Sequence, residues 1–218
     1  MAIINYSPPT SPYLEIVAQD DDIVVLNKPS GLLSVPGKAK EHADCLQTRV
    51  QRVFPSATVV HRLDMATSGL MVMALNKPAH RLISKQFELR ETTKTYQAIV
   101  FGRVLQESGE INLPLICDWP NRPKQMVDHE RGKKALTHWR VLERNVDSTR
   151  VELKPVTGRS HQLRVHMLSM QHPIIGDRLY AHDKALQMAN RLNLHAMFLS
   201  FRHPVTEKIL NFEAKVPF

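Results

Sequence analysis

Cysteine is scarce in this chain of 218 residues: Cys45 and Cys117 stand far apart, and no CxxC pair occurs. That spacing argues against a disulfide framework or a thiolate zinc site and suits a reducing compartment. Long apolar runs are missing as well. The uninterrupted stretch LMVMAL, Leu70 to Leu75, is far too short to span a bilayer, and the opening MAIINYSPPTSPYLEI lacks the basic stretch and apolar core of a secretory signal. A soluble, cytoplasmic protein is expected. No GxxxxGK[ST], GxGxxG or HExxH occurs, and Gly158, Arg159 and Ser160 do not form a GxSxG elbow, because Gln162 stands where the closing glycine would. These gaps remove simple claims to P-loop, Rossmann, zincin or hydrolase chemistry. The 11 histidines invite a metal reading, yet His161 and His166 are five apart and would face different sides of a helix. No metal site is expected.

What the chain does have is positive charge, 29 Lys plus Arg against 21 Asp plus Glu for a net +8. Such a balance favours a polyanionic partner, with RNA or DNA ahead of an anionic membrane surface. A basic protein of ordinary function competes with that reading on charge alone. The 43% hydrophobic content is enough for a real core, in one large or two small domains.

Residues 1–15, with Pro8, Pro9 and Pro12, read as an extended lead-in, and 16–218 as a single domain. IVVL, Ile23 to Leu26, reads as a buried strand stopped by NKPSG, where Pro29 presets a turn. DCLQTRVQRVF reads as a helix capped by Asp44, with Gln47 at the capping-box position and Leu46, Val50, Val53 and Phe54 as its apolar stripe. Arg49 and Arg52 then face outward. TVV, Thr58 to Val60, and LMVMAL read as strands, and NKPAHRLISKQFEL as a helix with Pro78 near its start and Ala79, Ile83 and Phe87 inward. KTYQAIVFGRV, INLPL, ALTHWRVLER, TRVELKPV, LNLHAMFLSF and KILNFEAKV read as strands. RSHQLRVHMLSM reads as a helix capped by Ser160, with Leu163, Met167 and Met170 on one face. Strands dominate without regular βαβ alternation, so the expected class is α+β, a largely antiparallel or mixed β-sheet flanked by helices and loops. Two loops carry cations: CDWPNRPKQ, with Trp119, Arg122 and Lys124, and ERGKK, with Arg131, Lys133 and Lys134. They could track a phosphate backbone or be solvated turns, and pattern alone favours the solvated reading.

HRLDMATSG, residues 61–69, connects two strands, the place where a rigid scaffold presents chemistry. Its Asp64 has two readings. An Asp ahead of Thr67 and Ser68 suits an Asx-type turn. A nucleophilic carboxylate held ionised by a nearby cation is the other. Arg62 and Arg164 are the candidate cations. The motif holds no second acid of the kind that ordinary glycoside hydrolysis requires. A lone carboxylate suits a reaction whose leaving group needs no protonation and is recaptured.

HRLDMATSG resembles the catalytic motif of the RluA family of pseudouridine synthases. NKPSGLLSVPG, KTYQAIVFG and KPVTGRSHQLRVHM resemble that family's other blocks in the same order, across nearly the whole chain. The resemblance implies the pseudouridine synthase catalytic fold over 16–218, without an added S4 domain, and conversion of uridine to pseudouridine with no cofactor and no metal. It implies that Asp64 is the nucleophile and that Arg164 pairs with it. Tyr96 packs on the target base and helps remove the C5 proton. Arg62 enters the stack vacated by the flipped uridine, with His61 shaping the same loop and Leu163 giving the pocket an apolar wall. Lys154 is a phosphate contact, and Lys28 stays outside the site as an exposed turn residue. Length and the LPLICDWPNRPKQ segment resemble the dual-specificity branch of the family. That implies a 23S rRNA hairpin and tRNA anticodon stem-loops as partners, with no obligate protein partner. A relative with one rRNA or tRNA target, and a non-catalytic RNA-binding or ribosome-assembly factor, are the alternatives.

Overall fold

The computed structural model describes residues 6–218, so the first five residues of the expected lead-in lie outside the described residues. In chain order the elements begin with β1 (Ile16–Gln19), β2 (Ile23–Lys28), a 3-10 turn (Lys40–His42), α1 (Leu46–Gln51), β3 (Thr58–Val59), β4 (Ser68–Ala74) and α2 (Lys77–Leu89). There follow β5 (Thr93–Phe101), β6 (Ser108–Asn112), β7 (Leu115–Cys117), β8 (Gln125–Val127), β9 (Leu136–Arg144) and β10 (Ser148–Pro155). The chain closes with α3 (Gln162–Ser169), α4 (Asp183–Gln187), β11 (Leu194–Arg202) and β12 (Ile209–Glu213). The expected α+β class holds, with antiparallel pairing in both compact units into which the chain divides.

One unit comprises the described residues up to Lys94 together with Ala196–Pro217. Its sheet is built on β2 and β4, paired antiparallel from Ile23 opposite Ala74 to Lys28 opposite Gly69. Val24, Val25, Leu26, Met71, Val72 and Met73 are all fully buried, so both faces are covered and the two strands read as apolar runs rather than as alternation. Helix α2 closes one face by packing Ala79 and Ile83 on Ile23, Val25, Val72 and Phe201. Asn76 caps it by accepting the Ala79 N–H, and Arg90 ends it in the left-handed conformation.

The lead-in is docked on this unit. Tyr6 donates its hydroxyl to the Asp44 carbonyl, and the Pro9 and Tyr13 carbonyls accept from Arg49. This corrects two expectations about α1. Arg49 is fully buried rather than outward, and Asp44 is its bidentate partner at 2.8 and 2.7 Å rather than the cap. Cys45 caps the helix, with Thr48 completing the capping box. The cause is tertiary: a face left polar by helical periodicity is covered by the N-terminal segment.

The other unit comprises Thr95–His195 with Phe218. Here β10 pairs with both β5 and β9, and β6 pairs with β9. INLPL does not form one strand; it splits between β6 and β7, because Pro114 offers no N–H to continue a ladder. Part of the segment read as a solvated loop forms β8, which pairs with β7 from Leu115 opposite Val127 to Cys117 opposite Gln125. Ser160 does not cap α3. His161 holds the cap position at φ 54° with no side-chain hydrogen bond to the helix.

Candidate functional site

The HRLDMATSG segment is held through its middle by the NKPSGLLS segment. Ser34 Oγ donates to the Leu63 carbonyl at 2.6 Å and accepts the Leu63 N–H at 3.2 Å. The Gly31 N–H and Lys28 Nζ both donate to the Met65 carbonyl, at 2.8 and 3.1 Å, and Ser30 Oγ donates to the Ala66 carbonyl at 2.7 Å. Within the segment the Thr67 N–H donates to the Asp64 carbonyl at 3.1 Å, so the turn is closed by backbone. Asp64 therefore sits on a loop whose flanking carbonyls are nearly all taken, a rigid mount for a half-buried carboxylate.

Lys28 is the main correction among these residues. It is fully buried, not exposed, and its ammonium also donates to the Pro29 and Leu32 carbonyls at 2.9 and 2.8 Å. One side chain thus ties the NKPSG turn to the Asp64 loop. At the loop's exit Gly69 has φ +117°, and a Cβ there would overlap the backbone of Ala196. Only glycine suits both conditions.

At the entrance, β3 ends after Val59, and the His61 ring takes over where its backbone leaves. Nε2 accepts the Val72 N–H of β4 at 3.1 Å, and the ring stacks on Phe87 of α2 with centroids 4.4 Å apart. Burial, reinforced by the Lys94 ammonium, pushes the imidazole down to about 3, so it is neutral with Nε2 as acceptor. His61 anchors the loop, and Arg62, next in the chain, is exposed.

In the unit containing Thr95–His195, α3 carries Arg164 inward at 4% exposure. Its Nε and Nη2 donate to the two carboxylate oxygens of Asp177 at 2.8 and 2.7 Å. Asp177 is also buried, and its Oδ1 accepts the Leu179 and Tyr180 N–H groups. The guanidinium lies 5.0 Å from the centre of the Tyr180 ring. The Tyr180 hydroxyl in turn meets His161 Nδ1 at 2.7 Å and accepts the Gln125 N–H at 2.8 Å. Arg164 is therefore fixed in plane and direction by a bidentate acid and an aromatic face.

The loop leading into α3 is held by Gln162. Its Oε1 accepts from Thr157 Oγ1 and the Arg159 N–H, while its Nε2 donates to the Leu136 carbonyl and Thr137 Oγ1. Leu163 is buried at 6% exposure. His166 is buried between Thr137 Oγ1 and the Leu113 carbonyl, and burial lowers its pKa. Tyr96 lies half-buried on β5 opposite Leu153 of β10. Lys154 bridges to Glu152 at 3.1 Å and is half exposed.

Ser34, Gln162, Asp177 and Tyr180 are positioning residues that the sequence did not mark out, and Lys28 is one that the sequence placed outside the site. Gln162 and Lys28 lie inside recognisable blocks, so a signal existed. For Asp177 none did, because its partner is 13 residues away. Among the described residues Asp20, Asp22 and His203 have the spacing of a metal site. However, His203 Nδ1 accepts two backbone N–H groups, leaving the proton on Nε2, which donates to Asp20 at 3.0 Å. They form a hydrogen-bonded cap, not a ligand set.

Comparison with known proteins places these features. The RNA pseudouridylate synthase family model matches residues 22–169. The dual-specificity RNA pseudouridine synthase RluA of Escherichia coli (strain K12) is 55% identical over 219 residues, covering 100% of both chains. Its counterparts in Pasteurella multocida (strain Pm70) and Haemophilus influenzae are 53% and 52% identical at the same coverage. Human RNA pseudouridylate synthase domain containing 1 superposes with a TM-score of 0.81 at 30% identity, over 97% of this chain and 87% of that one. The human domain containing 4 protein gives 0.74 at 28% identity, over 93% and 88%. The matched stretch spans most of the chain and takes in both the Asp64 loop and Arg164: the chain belongs to the RNA pseudouridylate synthase family.

Proposed function

We propose that this protein isomerises uridine to pseudouridine in two kinds of structured RNA, a 23S rRNA hairpin and tRNA anticodon stem-loops. End-to-end similarity to synthases named for dual specificity is the observation that carries the choice of substrates. In the reaction the N1–C1′ bond breaks, the uracil turns, and a C5–C1′ bond forms; the C5 proton leaves and N1 gains one. Atoms balance without a cofactor, and no metal is invoked.

Asp64 is the nucleophile in this reading, and the backbone-locked loop around it supports that role. Arg164 aims the carboxylate, a task suited to a guanidinium already fixed by Asp177. Tyr96 packs on the base and assists loss of the C5 proton. Arg62 occupies the gap left by the flipped uridine, a role consistent with its exposure. His61 acts by anchoring Arg62, and Leu163 supplies apolar wall. Transcripts tritiated at C5 of uridine provide the test: wild type releases tritium from both a tRNA anticodon stem-loop and an rRNA hairpin, and Asp64→Asn stops release while RNA binding persists. Release from neither RNA sinks the proposal, and release from one alone reduces it to single specificity.

A further inference from the structure

The chain has two tryptophans. Trp139 is buried at 6% exposure, whereas Trp119 is 65% exposed at the tip of the β7–β8 hairpin. An indole so placed contributes little to folding. Its position is nonetheless well defined. The Asp118 N–H donates to the Lys124 carbonyl, the Asn121 N–H to the Asp118 carbonyl and the Lys124 N–H to the Asn121 carbonyl, all at 3.0 to 3.1 Å. Asn121 Nδ2 adds a bond to Asp118 Oδ2 at 2.9 Å. On this closed loop the Arg122 guanidinium lies 4.3 Å from the centre of the Trp119 ring. The foot of the hairpin is tied to Tyr180 through the Gln125 N–H, and the Tyr180 ring carries Arg164. One side chain thus links the tip's strand to the arginine assigned to the reaction.

We propose that Trp119 and Arg122 form a stacking platform for an unpaired base of the RNA stem-loop other than the target uridine. The inference rests on the RNA-modifying reading above and adds a contact by which a loop is recognised. The physical grounds are threefold. An aromatic face accepts any base without hydrogen-bond readout, and single-stranded loops are the part of an RNA whose bases are available for stacking. A guanidinium on the indole adds a cation for phosphate. The hydrogen-bonded turn means that little ordering is needed on binding.

In a Trp139→Phe background, Trp119 is the sole indole reporter. Adding a tRNA anticodon stem-loop transcript should shield it from acrylamide quenching. If that variant does not fold, the quenchable fraction of wild-type fluorescence reports the same group, because Trp139 is buried. Trp119→Ala should weaken stem-loop binding roughly fivefold to a hundredfold, and Trp119→Phe should restore most of the loss. Unchanged quenching with RNA bound, as judged independently by filter binding, overturns the platform. So does wild-type affinity in Trp119→Ala. In either case tritium release by wild type leaves the functional reading standing; absence of release overturns both.

Discussion

Single residues do their work here through partners that are remote in sequence. Arg164 and Asp177 form a buried, bidentate pair, so removing one partner strands a charge. Asp177→Asn is expected to destabilise the protein by about 3 kcal/mol or more, measured by urea unfolding. On the role proposed for Arg164, turnover should fall more than RNA affinity. Lys28→Met takes the ammonium donor from the Pro29 and Leu32 carbonyls and leaves the Met65 carbonyl with the Gly31 N–H. A loss of about 2 to 4 kcal/mol is expected from unsatisfied buried acceptors, and the Asp64 loop should exchange its amide hydrogens faster.

His61 gives a pH signature at the same scale. Its folded pKa, about 3, lies below the unfolded value of about 6.5. Between these values the unfolded chain binds a proton that the folded chain does not. Its contribution is fully present above pH 6.5 and is lost as pH falls towards 3, at about 1.4 kcal/mol per pH unit. His61→Gln keeps an acceptor for the Val72 N–H and removes the titration. Unfolding free energies measured from about pH 6 down to about pH 4 should therefore slope less for the variant, by one proton's worth.

At the scale of elements, periodicity located strands and helices well where both faces or one stripe are apolar. β2, β4 and α2 came out as read because their side chains bury against one another. It failed where a distant segment covers a polar face. Arg49 lies off the apolar stripe of α1, and nothing local shows that the Pro9 to Tyr13 stretch folds over it. Proline explains the break between β6 and β7, a rule that was available from the letters alone. Gly69 is the element-scale test of the loop. Gly69→Ala must adopt φ +117° and clear the Ala196 backbone, so a loss of at least about 2 kcal/mol is expected. Calorimetry should show a lower Tm, and tritium release should fall even where the variant is folded.

For the molecule as a whole, the net charge of +8 bears on affinity rather than on fold. Neutralising six or more phosphates would make RNA binding fall roughly a thousandfold between about 50 and about 200 mM salt. Filter binding across that range checks this, and a flat profile would contradict a phosphate-dominated interface. No helix among the described residues is long and apolar enough to cross a membrane.

The sequence by itself determined the family, the α+β class and the identity of the reactive candidates. Four spaced blocks and the alternation of apolar and polar residues are linear properties. It could not decide what holds Asp64 in place. That depends on Ser34, Ser30, Gly31 and Lys28 meeting carbonyls roughly thirty or more residues away; nor could it decide that Asp177 and Tyr180 fix Arg164. A hydrogen bond is made between positions in space, and only the folded chain brings those donors and acceptors together.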